Sequence, residues 1–191
     1  AQSEIANILY FFGEERSSRR IANAIVRRRT EEPFTSTLDL SNLIENCLPR
    51  KKPGTIHPAT RSFQALRIAT NDEFTELYEA LFAAEKALRC GGILAIVTFH
   101  SLEDRIVKRF LQLRSGSAGN SNRYAPEINN EEKHFEIVNR KAIIASDQEL
   151  LQNPRSRSAK LRIAKRLSCQ PGRNLLPSQL GVPLLEGKNN A

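Results

Sequence analysis

The 191 residues are 40% hydrophobic and 26% charged, a balance that excludes a disordered chain and gives one domain, or a domain with an insertion, enough apolar residues for a core. No wholly apolar run, Ile93 to Val97 included, exceeds five residues, far too short to span a bilayer, and no apolar segment with charged flanks opens the chain as a secretory signal would. Net charge is +8, from 29 basic and 21 acidic residues, which favours polyanionic partners and nucleic acid first.

Residues 3–29 carry a helical pattern. Ile21, Ala24 and Ile25 form an apolar stripe, and Arg16, Arg20 and Arg27 recur at spacings of four and seven. Thr35-Ser-Thr offers caps for a short helix that ends before Pro49. A basic loop over 50–57 follows, and Pro58 is placed to open the next helix, with Phe63, Leu66 and Ile68. Asn71-Asp-Glu restarts a longer helix with Phe74, Leu77, Tyr78, Leu81, Ala84 and Leu88 at helical spacing, stopped by Cys90-Gly91-Gly92. The first 90 residues therefore read as all-α.

At Ile93 the period changes. Ile93 to Phe99 is continuous and β-branched, the pattern of a central strand buried on both faces. Ser101 and Asp104 then open a helix whose buried side is Leu102, Ile106, Phe110 and Leu113. A helix, a buried strand and a helix in succession describe part of an α/β sheet. Residues 114–134 read as a loop, and Phe135–Val138 and Ala142–Ala145 as short strands. Lys160 to Ala164 alternates strictly and predicts a half-exposed strand with a basic outer face. After Pro171 little looks able to pack.

One strong strand and a few weak ones cannot bury both faces of a doubly wound sheet. That fact, with a sequence that contains no methionine and opens directly on a helical pattern, leads us to expect the second half of an α/β domain. Three widely spaced cysteines (Cys47, Cys90, Cys169) without a CxxC pair suggest thiols, not a disulfide framework or a zinc site, and fit a reducing cytoplasm.

Three segments could carry chemistry. His100, Ser101, Glu103, Asp104 and Arg105 crowd the carboxyl end of the strong strand and the start of a helix, where open α/β sheets bind ligands and helix N-termini favour anions. A plain helix cap accounts for Ser101 and Asp104 equally well. His57, Arg61, Gln64 and Arg67 surround another helix start and suit phosphate or base-edge contacts, as they would suit a solvated helix face. Seven basic residues and no acid lie between Asn153 and Arg173, among them Arg155 and Arg157, and leave the remainder nearly neutral. Phosphate binding explains that run, and so does a charged strand edge that resists aggregation. No GxGxxG, GxxxxGK[ST] or GxSxG motif occurs, and the three histidines make no metal set.

Taken together the motifs have a family look. Gly13-Glu-Glu-Arg with Ser18-Arg-Arg-Ile-Ala-Asn-Ala-Ile, His57-Pro-Ala-Thr-Arg-Ser-Phe-Gln-Ala-Leu-Arg-Ile, Phe99-His-Ser-Leu-Glu-Asp-Arg-Ile-Val-Lys-Arg-Phe and Asn153-Pro-Arg-Ser-Arg-Ser-Ala-Lys-Leu-Arg occur in that order. The series, over residues 4–167, closely resembles the bacterial small-subunit (16S) ribosomal RNA cytosine-N4 methyltransferases, the RsmH or MraW family. The resemblance implies a class I, Rossmann-like methyltransferase with an all-α substrate-recognition domain inserted in its sheet domain. Residues 1–89 would be the helical insertion, 90–167 the C-terminal half of the sheet domain, and 168–191 a tail. It implies methyl transfer from S-adenosylmethionine to the exocyclic N4 of a cytidine in the decoding region, in the cytoplasm. The implied partners are small-subunit ribosomal RNA or the assembled small subunit, with a homodimer as a further option and no membrane.

On this basis His100, Ser101 and Asp104 are the candidates for the pocket, and Arg16, Arg20, His57, Arg61, Arg105, Arg155 and Arg157 for RNA. The family's glycine-rich cofactor loop and ribose-binding acidic residue match no position here. The S-adenosylmethionine site is therefore expected mainly in an N-terminal half preceding Ala1, and no cofactor-binding residue is assigned. A non-catalytic RNA-binding fragment or assembly module stays open as the alternative.

Overall fold

The computed structural model describes residues 1–49, 56–117, 133–168, 170–183 and 185. The basic loop at 50–55, most of the 114–134 loop and Cys169 lie outside the described residues. Two compact units emerge, 1–73 with 183–191, and 74–182.

The first unit is helical: α1 (Gln2–Gly13), α2 (Ser18–Glu31), α3 (Thr37–Cys47) and α4 (Thr60–Asn71). Where the sequence suggested one helix over 3–29, two form. Glu14 takes the left-handed conformation (φ 49) and its N–H bonds to Leu9, closing α1 before α2 begins at Ser18. The cause of the break is a close crossing of backbones. An added Cβ at Gly13 would stand 2.6 Å from the Arg61 carbonyl oxygen, so only glycine lets α1 lie against the start of α4. The Ser36 hydroxyl accepts a hydrogen bond from Asp39 N–H at 3.1 Å and caps α3 as expected. Leu9, Ile21, Ala22, Ile44, Ala65 and Ile68 form the core of this unit, each at most 1% exposed.

The second unit holds α5 (Glu73–Ala87), β1 (Ile93–Thr98), α6 (Ser101–Arg114), β2 (Phe135–Ile137), β3 (Ile143–Ile144), α7 (Asp147–Gln152), a 3-10 turn (Pro154–Ser158), β4 (Lys160–Arg166) and α8 (Pro177–Leu180). The first residue of α5, Glu73, is grouped with the helical unit. The strands form a four-stranded sheet in which β4 pairs antiparallel with β1, β2 and β3. The α/β character is as the sequence suggested. The strong strand, however, is not buried on both faces. Leu94 and Thr98 are buried against the face on which α6 packs, whereas Ile93 and Val97, on the opposite face, are 54% and 53% exposed.

The register also turns β4 around. Residues opposite one another share a face, so Lys160, Arg162, Ala164 and Arg166 lie with Thr98, Leu94 and Phe135 on the face that packs on α6. Leu161 and Ile163 lie on the other face with Val97 and Ala95. The expected basic outer face is an inner one, and the ion pairs that offset its burial come from α5 and α6.

The segment after Pro171 packs, contrary to expectation. Leu175, Leu180 and Val182 are buried, and the Tyr78 hydroxyl donates to the Leu175 carbonyl at 2.6 Å. Isolated anchors at irregular spacing leave no period to read. The cysteine reading holds for Cys47, a free and buried thiol, but Cys90 is disulfide-bonded. Cys90 Sγ lies 3.5 Å from the Leu167 carbonyl oxygen, 77 positions away, a proximity that sequence spacing does not show.

Candidate nucleic-acid interface

The turn from β1 into α6 is capped by a residue other than the one expected. His100, not Ser101, is the N-cap: its Nδ1 accepts from Glu103 N–H at 3.4 Å, while the Glu103 carboxylate accepts from Phe99 N–H at 2.8 Å and His100 N–H at 3.3 Å. A second His100 nitrogen, Nε2, lies 3.2 Å from the other Glu103 oxygen, and the Phe74 ring meets the imidazole edge-on with centroids 5.9 Å apart. Burial pushes the Glu103 carboxyl up, but the hydrogen bonds from His100 and Phe99 and the His100 charge outweigh it, holding the carboxyl below its usual range.

Asp104 sits one residue further into α6 with 8% exposure. Its carboxylate takes Arg162 in a two-point grip, Nε at 2.7 Å and Nη2 at 3.1 Å, and Lys160 Nζ at 3.3 Å. Burial raises its pKa, yet the hydrogen bonds and charges of Arg162 and Lys160 win and hold it low. Both oxygens are thus committed to fastening β4 against α6. Lys160 and Arg162 went unrecognised as its partners in the sequence; their alternation on β4, i and i+2 on one face, was the available signal.

In the same unit Ser101 and Arg105 are exposed on the first turns of α6, and Arg155 and Arg157 are exposed on the 3-10 turn. Within that turn Ser156 is buried and its hydroxyl donates to the Asn153 carbonyl at 2.7 Å. In the helical unit Arg16, Arg20, His57 and Arg61 are all exposed. The Gly13–Arg61 backbone contact sets the turn bearing Arg16 against the helix start bearing His57 and Arg61. The His57 Nδ1 accepts from Ala59 N–H at 3.2 Å, fixing that ring at the entrance to α4. Arg20, on the first turn of α2, acts on Cys47: burial raises the thiol pKa more than the Arg20 charge lowers it. The structure therefore gathers Arg16, His57 and Arg61 in one neighbourhood, and His100, Ser101 and Asp104 in another.

Among the described residues no glycine-rich turn links a strand to a helix. Gly91 and Gly92 precede β1, and in the β1–α6 turn the amides of Phe99, His100 and Glu103 are filled by its own cap. These residues do not form a cradle for a nucleoside cofactor.

Residues 1–167 match the model of the MraW methylase family. The chain belongs to that family. Similar proteins are the ribosomal RNA small subunit methyltransferases H of Roseobacter denitrificans (57% identical, covering 97% of this chain and 56% of that protein) and Cereibacter sphaeroides strain KD131 (57%, covering 98% and 56%). The corresponding protein of Ruegeria sp. strain TM1040 is 55% identical, over 97% of this chain and 56% of its own length. The chain thus spans about half the length of the curated relatives it matches. The MraW match ends one residue beyond β4, so it takes in α1 to α6 and the whole four-stranded sheet.

Proposed function

We propose that this chain acts in an S-adenosylmethionine-dependent enzyme that methylates the exocyclic N4 of a cytidine in the decoding region of small-subunit ribosomal RNA. The observation that carries the reading is the family match over residues 1–167. In this reading residues 1–89 serve as the helical substrate-recognition domain and 90–167 as the C-terminal half of a Rossmann-like sheet domain. The cofactor supplies the methyl group. The described residues do not fit it, so the work assigned to them lies wholly on the RNA side.

The demands on that side are physical. An exocyclic amine is a weak nucleophile because its lone pair is delocalised into the ring, so the enzyme must hold it in line and accept its hydrogens. The base must also leave its stack. His100 and Ser101, at the strand end and helix start, are proposed to line the pocket, with Asp104 positioning that turn through Arg162 and Lys160. Arg16, Arg20, His57 and Arg61 in one unit, and Arg105, Arg155 and Arg157 in the other, are proposed to hold phosphates. The partner is small-subunit ribosomal RNA, free or in the assembled subunit.

A second reading, a non-catalytic RNA-binding module, is favoured by the missing glycine-rich turn. Calorimetry with S-adenosylmethionine separates the two: heat of binding to this chain contradicts the non-catalytic reading. Methyl transfer to small-subunit RNA by the enzyme carrying this sequence tests the main one. Replacing Arg155 and Arg157 together by Gln should raise KM for RNA about tenfold and leave kcat within about twofold, since phosphate contacts are made in ground and transition state alike. An unchanged KM would remove the assignment of these two residues.

A further inference from the structure

Between α6 and β2, in the second unit, lies a cleft of about 910 Å³ that contains none of the residues assigned to RNA above. Its volume is at the upper end of the ~300–1,000 Å³ range of ligand sites. Lys108 enters it from α6, Lys133 from the residues before β2, and Arg140 from the turn after β2. All three are exposed, and none forms an ion pair with a described residue. Arg162 also reaches the lining, but Asp104 already neutralises it. Glu136 is the one acid among the described lining residues, which together carry a net positive charge that an anion would stabilise.

The neutral lining narrows the class of anion. Gln112 and Asn139 offer amides that both donate and accept, suited to base edges and ribose hydroxyls, and Phe135 supplies an apolar floor. Lys133 and Arg140 lie beyond opposite ends of β2, whose three residues alone span about 10 Å. A single compact phosphate cannot neutralise charges placed that far apart; a chain of phosphates can.

We propose that the α6–β2 cleft holds the sugar–phosphate backbone of a single-stranded RNA segment, a contact area separate from Arg155 and Arg157. The inference rests on the RNA-substrate reading above and gives that substrate a second point of attachment.

The test is fluorescence anisotropy of the full chain with a labelled single-stranded segment of small-subunit RNA across a salt series. It compares the wild type, the triple variant Lys108→Gln, Lys133→Gln, Arg140→Gln, and the double variant Arg155→Gln, Arg157→Gln. The triple variant should keep the wild-type melting temperature, bind at least about tenfold more weakly, and show a shallower log K against log salt slope by about 2, near 0.7 per lost phosphate contact. Wild-type affinity and slope in the triple variant, with weakened binding in the double variant, overturn the cleft and leave the RNA reading standing. No RNA binding by the wild type overturns both. Loss of inorganic phosphate binding in the triple variant, with RNA affinity intact, would make the cleft a small-anion site and equally overturn the proposal.

Discussion

The Asp104 carboxylate lies between two cations from β4, and its behaviour with pH follows. Its pKa in the folded chain is below the unfolded value of about 3.9, so the stability it contributes is complete above that value. That contribution fades as pH falls through the folded value. Asp104→Asn keeps the shape and removes the charge, leaving Arg162, with only 12% of its side chain exposed, uncompensated. We expect a loss of about 3 kcal/mol at about pH 7 in urea unfolding, shrinking as the pH is taken below about 4. An equal loss at every pH would contradict the charge assignment.

Glu85 has the more extreme setting. Its side chain is 1% exposed and meets Arg114 at 2.9 Å and Arg166 at 3.2 Å, with the Gly172 N–H at 3.2 Å. The two guanidinium groups also donate to the carbonyls of Arg173, Gln170 and His134, which ties residues 170–173 to α5, α6 and β4. Glu85→Gln strands two buried arginines and should cost about 3–5 kcal/mol in the same measurement. A cost under about 1 kcal/mol would mean the arginines find other partners.

At the level of elements, α1 and α2 show what a sequence pattern hides. Both halves of 3–29 carry helical spacing, and the break at Glu14 has no proline to announce it. Gly13 was the local clue, and its meaning depends on α4, which meets it through the distant Arg61. Gly13→Ala should lower stability by about 1–3 kcal/mol, read as a drop in melting temperature, because the added methyl meets a backbone oxygen at 2.6 Å and not a movable side chain. An unchanged melting temperature would show that α1 and α4 can separate at little cost.

Strand β4 hides its orientation in a similar way. Strict alternation of Lys160, Leu161, Arg162 and Ile163 correctly predicts a strand but does not say which set faces inward. Hydrophobicity alone points the leucine and isoleucine to the core. Asp104 and Glu85 reverse this by supplying partners for Lys160, Arg162 and Arg166 on the α6 side. The helix α6 was legible throughout, apart from a cap shifted by one residue onto His100, whose imidazole replaces the expected serine hydroxyl.

For the whole molecule, the charge surplus looks different once the fold is known. The run from Asn153 to Arg173 reads as one basic surface, yet Lys160 and Arg162 answer Asp104, and Arg166 answers Glu85. Exposed Arg155 and Arg157 remain available for phosphates. Lys108, Lys133 and Arg140, without ion-pair partners among the described residues, add a basic region that sequence clustering did not show. Family membership was readable from motif order, because long runs such as His57 to Ile68 combine cap, helix and exposed cation in one segment. The site was legible only in part, because ion pairing depends on register and helix docking that no local window contains.

What matters most at this scale is the reaction itself. Its most direct measurement is nucleoside-resolved mass spectrometry of small-subunit RNA after reaction with S-adenosylmethionine and the enzyme carrying this sequence. The expected product is N4-methylcytidine confined to a single decoding-region oligonucleotide. Methylation of another base or another atom of cytidine, or no methyl transfer under conditions where the RNA binds, would contradict the proposed activity.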